Sequence, residues 1–444
     1  MKKLLSIVLA LALMASMLTV VPALADDKTV INYWTNDRHD LDYIQSVIDT
    51  FNAENTSNIE VKINVITDDY ENQITLAYTS GDAPDVIGAV TIKNFVDNGM
   101  LLCLDDYIAA DETYQLVNEP YTHAYEGLNA MNGNIYWCYS AMRSGVRIEY
   151  NKSLLEKSGY DSVATTIEGY IEQAKKITED NDYEYYGVGF TSSSPFERQL
   201  EMMAQVSGIY YYDYVNGKFD FSGYKEIMEL GRELVQWAYP DQQGVDNMRA
   251  LFAGGSFALW GNASQEAGVF TNQFPVTDFE WGVAEVPSLT GEIKGALQTT
   301  PSKGYAIMSS SKNPDAAWEF VKYMQSESVL VGYVESGAAL PITSYIDERV
   351  DKTKLGRLAD YSLLEYESVY PAVPAINLTG DNYRTVIWNA IMGFVDIDAA
   401  IEDLNTRYNA ALDADVASGS IQRLVIADYD PLHPSAGTVT YLDK

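Results

Sequence analysis

The chain has 444 residues, room for two or three folding units at one domain per roughly 150 residues. At 47% hydrophobic and 21% charged, with 30 Gly and 14 Pro, it is composed like a folded soluble protein and unlike a fibre or a disordered chain. Its 29 Lys and Arg stand against 63 Asp and Glu, a net charge of −34, which disfavours nucleic acid and anionic membrane surfaces, because both are held by clustered cations.

Lys2 and Lys3, an apolar run from Leu4 to Val21, Pro22 and the small-x-small trio Ala23, Leu24, Ala25 read as an export signal over residues 1–25. The run is longer than usual, so an uncleaved anchor is its rival. No Cys stands near the cleavage point to carry a lipid. No later segment offers a run of roughly 18 uncharged apolar residues. The expectation is an exported, extracytoplasmic protein, periplasmic, cell-surface or secreted. There, Cys103 and Cys138, the only two cysteines, either pair as a disulfide or stay as two small thiols. With His39, His123 and His433 they show no zinc-type spacing, so no metal site is expected.

Val30 to Trp34 reads as a buried strand, and Leu41, Ile44, Val47, Ile48 and Phe51 recur at helical spacing. Val61, Ile63 and Val65 alternate as a second strand, Tyr70, Ile74, Ala77 and Tyr78 mark a helix face, and Val86 and Ile87 follow a turn at Gly81 to Pro84. Such alternation predicts parallel strands with helical crossovers, a doubly wound α/β layer whose ligands sit at strand carboxyl ends. A second α/β region begins near Tyr150. Thr165 and Glu168 suggest a capping box before a helix, and Tyr185 to Phe190 a strand. Asn216-Gly217 predicts a two-residue hairpin turn between Tyr210–Val215 and Lys218–Phe221. Strands are expected at Ser256–Trp260 and Trp281–Val286, and helices at Asp315–Met324 and Tyr383–Leu412.

Nucleotide and nucleophile motifs are absent: there is no Walker loop, no Gly-x-Gly-x-x-Gly opening a helix, no Gly-x-Ser-x-Gly and no His-Glu-x-x-His. No cofactor is expected. With 33 Tyr and 7 Trp against 13 Phe, the aromatic usage suits stacking on sugar rings, although Tyr210, Tyr211, Tyr212 and Tyr214 read first as sheet residues. Trp34 ends the first strand before Thr35, Asn36 and Asp37, where such a sheet opens its cleft; ligand contact and packing both fit it.

Ser80-Gly81-Asp82-Ala83-Pro84-Asp85-Val86, Gly99-Met100-Leu101-Leu102-Cys103-Leu104-Asp105-Asp106-Tyr107, Glu149-Tyr150-Asn151-Lys152, Pro314 to Val321 and Asp398-Ala399-Ala400-Ile401 occur in that order. Together they resemble the extracellular solute-binding proteins of the family 1 type, related to maltose-binding protein and serving ABC sugar importers. The resemblance implies a two-lobed periplasmic-binding-protein-like fold of type II, each lobe a doubly wound sheet, with hinge crossings near Ser144, Thr300 and Gln325. It places residues 26–143 with 301–325 in one lobe and 146–298 with 330–444 in the other. It implies a monomer with no catalytic activity, which closes on a sugar or oligosaccharide and presents it to membrane permease subunits. Cleft-facing candidates carried over are Trp34, Asn36, Asp37, Asp85, Thr91, Tyr139, Ser144, Trp260, Asn262, Asn382 and Tyr383. The Asp85 carboxylate equally suits capping a backbone turn.

The chain departs from the family pattern at Pro301-Ser302-Lys303-Gly304 and at Tyr136-Trp137-Cys138-Tyr139. Lys303 and Arg143, if they face the cleft, would suit an anionic sugar such as a uronate. A polyamine or other cationic solute, suggested by the acidity, is the alternative ligand. A secreted glycan hydrolase is the alternative activity, since two suitably placed carboxylates would suffice.

Overall fold

The computed structural model describes residues 28–442 except 39, 89–92, 120 and 194. The export signal and Thr91 therefore lie outside the described residues. The two larger sheets are built from β1 (Thr29–Thr35), β2 (Ile59–Val65), β3 (Val86–Gly88), β4 (Cys138–Arg143), β5 (Arg147–Asn151), β6 (Tyr186–Val188), β7 (Phe257–Asn262), β8 (Trp281–Ala284) and β9 (Thr300–Ile307). They form a two-lobed α/β molecule, one sheet per lobe.

The first sheet has the order β2-β1-β3-β9-β4. β1 pairs parallel with β2 and β3, as the alternation of strands and helices predicts, while β9 runs antiparallel to β3 and β4. Helix α1 (Leu41–Glu54) buries Ile44, Val47, Ile48 and Phe51, the face read from its 3.6-residue period. α2 (Tyr70–Ser80) closes on Gly81, whose φ of 85° is the left-handed conformation that glycine supplies at a helix end. The second sheet, β8-β5-β7-β6, is mixed: β5 is antiparallel to both neighbours and only β7 and β6 run parallel. β5 enters from the other lobe, so its direction is set by the crossing and not by a local β-α-β step. The helix α3 (Ile167–Asp180) caps on Thr166, whose hydroxyl accepts from Gly169 N at 3.1 Å, one residue later than the expected Thr165.

Three further expectations are corrected. The hairpin near Asn216-Gly217 pairs only Tyr212–Asp213 with Lys218–Phe219, and its loop is longer than two residues. Only Gly217 of that dipeptide has positive φ, and the Asp213 carboxylate accepts from Val215 N and Asn216 N, forming the turn through a side chain. α4 (Pro314–Met324) is as expected, but Gln325 is its C-cap and no crossing point: α5 (Glu327–Glu335) returns to the first sheet, where Val329 and Tyr333 join Ile31, Tyr33 and Phe320 in one core. Residues from 330 to about 347 thus pack with the first lobe, and farther on the chain bonds to the second, Arg357 donating to the Trp281 carbonyl and Tyr361 to Glu149. The long late helix is two, α6 (Tyr383–Ile391) and α7 (Ile397–Ala417), broken at Gly393 with φ 81°.

The tail is ordered on the second lobe. β10 (Arg423–Ile426) pairs with β11 (Val439–Leu442), Ile426 N donates to the Tyr214 carbonyl, and Tyr429 stacks on Tyr214. Cys103 and Cys138 are free thiols, one exposed and one buried, so the bridge is not formed.

Candidate functional site

β1 and β2 are parallel neighbours, so their carboxyl ends open at the same edge, and the segments that follow them wall a cavity of about 520 Å³. Its lining includes Asn36 and Asp37 after β1, Thr67 and Asp69 after β2, Tyr70 at the start of α2, and Lys303 of β9. This is the edge at which an open α/β sheet offers its loops to a ligand. Asp37 N is held by the Thr35 hydroxyl at 3.1 Å, and Tyr70 donates to the Trp34 carbonyl at 2.7 Å, so both walls are anchored to β1.

Lys303 is turned inward by an irregularity in β9, whose register against β4 shifts on either side of it. Its ammonium lies 2.8 Å from Asp37 and 2.7 Å from Asp40. The Lys303 side chain is 3% exposed and that of Asp40 7%, whereas Asp37 keeps 38%. Burial pushes the Lys303 ammonium down, and Tyr33, Tyr333, Asp37 and Asp40 together outweigh it, so its pKa lies above the ordinary range. Lys303 is thus committed to two carboxylates and does not stand free for an anionic sugar; Asp37, Asp69 and Glu71 leave the cavity walls with an excess of negative charge.

The other candidates separate by position. Arg143 ends β4 at the crossing, open to solvent along part of its side chain but with its guanidinium crowded by the protein; that desolvation and the like charge of Arg198 lower its pKa, with Asp37 and Glu266 acting in opposition. Ser144 is the crossing itself: its hydroxyl accepts from Ser264 N at 3.0 Å, while its N–H donates to the Ser264 hydroxyl at 3.3 Å. Beside it the Glu367 carboxylate takes both Arg147 Nη1 and Nη2 at 2.9 Å and also the Gly145 N–H. Trp34 is half-buried against the interlobe core and is not part of the cavity wall.

The remaining candidates serve the fold. The buried Asp85 carboxylate accepts from Asn32 N of β1 at 2.9 Å and from Ser311 Oγ at 2.6 Å, so it ties β1 to the segment after β9 and does not cap a turn. Tyr139 is buried and donates to the Leu128 carbonyl at 2.7 Å. Trp260 is 1% exposed, with Phe252, Phe257 and Phe270 around its ring. Asn262 is buried between Arg198 and Glu149, accepting from the first at 2.6 Å and donating to the second at 3.2 Å. Asn382 caps α6, and Tyr383 stacks on Tyr211 and donates to the buried Glu201. Sequence reasoning missed Thr67, Asp69, Tyr70, Glu71, Asn72 and Ser302. The second strand of a parallel pair carried the signal for most of them, since its following loop must share the cleft with the first.

The family model for bacterial extracellular solute-binding proteins matches residues 36–331, about two thirds of the chain. The chain belongs to the bacterial extracellular solute-binding proteins. Solved structures of the same shape accompany this solute-binding protein. The sugar-binding protein MalE from Xanthomonas citri is 17% identical, with a TM-score of 0.68 over 88% of this chain and 99% of that one. The cyclic alpha-maltosyl-1,6-maltose binding protein from Arthrobacter globiformis is 19% identical, with a TM-score of 0.67 over 87% and 100%. The GacH receptor of Streptomyces glaucescens, solved unliganded and with acarbose, is 20% identical, with a TM-score of 0.64 over 87% and 99%. At these identities the likeness is one of fold. Among the described residues no helix is long and apolar enough to cross a membrane, and no group of three or more His, Cys, Asp or Glu is placed to hold a metal ion.

Proposed function

We propose that this protein is the extracytoplasmic receptor of an ABC importer, exported by its first 25 residues and acting as a monomer without catalysis. It captures a sugar or oligosaccharide between its lobes and hands it to a permease. The observation that carries this reading is the polar cavity at the ends of β1 and β2, beside the crossing at Ser144, in a fold shared with the sugar-binding protein MalE and with GacH bound to acarbose. Asn36, Asp37, Thr67 and Asp69 supply donors and acceptors of the kind that sugar hydroxyls satisfy, and closure would exclude water from those bonds.

A thermal-shift screen of the purified protein against neutral oligosaccharides tests it, because a ligand bound only by the folded state raises the melting temperature. Asp37→Asn should weaken the best sugar at least tenfold, about 1.4 kcal/mol by calorimetry; unchanged affinity would remove Asp37 from the site. The surplus carboxylates favour a second reading, a cationic solute such as a polyamine. A melting rise with polyamines alone would replace the sugar by that ligand.

A further inference from the structure

We propose that Asp40 is a specificity-determining residue of this cleft: by neutralising Lys303 beneath the cavity together with Asp37, it makes the site accept neutral and cationic sugars and turn away those bearing carboxylates. The inference rests on the sugar-receptor reading and adds the charge of the ligand to it.

Among the described residues that line the cavity, Lys303 is the only cation. Its pairing with Asp40 is buried and is backed by a second bond, since Tyr333 of α5 donates to the same carboxylate. Asp40 does not line the cavity, so it acts on a ligand only through Lys303; it is a positioning residue. Lys303 with Asp37 alone would be a neutral pair, and Asp40 makes the trio net negative. Asp37 is the member with an accessible carboxylate. Asp69 and Glu71 on the facing wall have the same sign. A uronate entering here meets three carboxylates and no free ammonium, whereas a hydroxyl or a protonated amine meets acceptors. At exposed sites such charge effects are screened within about 8 Å at physiological ionic strength, which gives the proposal a salt signature.

The test compares partial digests of starch and xylan (neutral), chitosan (cationic) and pectate (anionic) by thermal shift and calorimetry, on the wild-type protein and on Asp40→Asn. The wild type should bind a neutral or chitosan fraction at least tenfold more tightly than pectate fragments, and raising the salt from low to physiological should narrow that gap. Asp40→Asn should tighten pectate fragments at least fivefold, weaken chitosan fragments by a similar factor and leave neutral sugars within threefold. Pectate bound as tightly as neutral sugar by the wild type would overturn the proposal and leave the receptor reading standing. So would an Asp40→Asn protein that loses all three classes alike, the mark of a purely structural role. Should that variant fail to fold, the salt dependence of the wild type decides: a gap that does not narrow counts against the charge filter. No response to any digest would contradict the receptor reading itself, and this inference with it.

Discussion

At Trp260 a position carried over from the family meets the packing of this chain. Every residue from Phe257 to Asn262 is buried, so this strand lacks the alternation that would say which way Trp260 points, and the family resemblance put in the cleft a side chain that packing holds in the core. Truncating a large buried aromatic costs about 3–5 kcal/mol. Trp260→Ala should therefore lower unfolding stability by that order in denaturant titrations, with ligand affinity of the folded fraction unchanged within threefold. A tenfold loss of affinity in a stable variant would return Trp260 to the site. The cysteines give a second residue-scale test. Cys138 is buried and its thiol is pushed up to about 12, mainly by burial, while Cys103 is exposed beside Asp105. Without reductant, a native alkylation should add one adduct and an unfolded one two; no adduct in the unfolded chain would show a bridge. Lys303 was the least legible position. A Lys in a strand reads as a surface charge, and nothing local reveals that Asp37 and Asp40, far earlier in the chain, meet it under the sheet.

Among the elements, β5 carries a fully buried carboxylate, Glu149, that makes folding stability depend on pH. Glu149 of β5 is raised well above the usual carboxylate range, first by burial and then by the charge of Glu266, against hydrogen bonds from Tyr361 and Asn262 and the charge of Arg198. The folded state then holds this proton more tightly than the unfolded chain, whose glutamates titrate near about 4.3. Its contribution to stability is full below that pH and is lost as pH rises through the folded pKa. Glu149→Gln keeps the shape and removes the titration. Its melting temperature relative to wild type should rise between about pH 4 and about pH 8; an offset independent of pH would show that Glu149 stays ionised in the fold. At this scale the sequence was most readable where a period and a punctuation signal agree, as in β1, α1, β2 and α2. It was least readable where tertiary packing decides, as at the irregularity in β9, the return of α5 to the first sheet, and the break at Gly393, whose glycine stood inside an otherwise continuous apolar pattern.

For the whole molecule, two crossings are close together in space and tied to each other. Ser144 joins β4 to β5, Thr299 precedes β9, and the Thr299 hydroxyl donates to the Arg143 carbonyl. The buried Arg147–Glu367 pair anchors the second lobe's end of this crossing, and the chain crosses again between about 347 and Arg357, so any rotation of one lobe against the other bends the chain at these crossings. The cavity residues belong to the first lobe, while Arg198 and Glu266 of the second act on Arg143 at the crossing. A ligand that touches both sides would draw them together, and a ligand shifts such an equilibrium only by its differential affinity for the closed form. Small-angle X-ray scattering with and without the sugar identified by thermal shift measures that directly. The account predicts a smaller radius of gyration with ligand and a loss of that change in Asp37→Asn at the same sugar concentration. Saturated binding, proved by calorimetry, with identical scattering curves would contradict capture by closure.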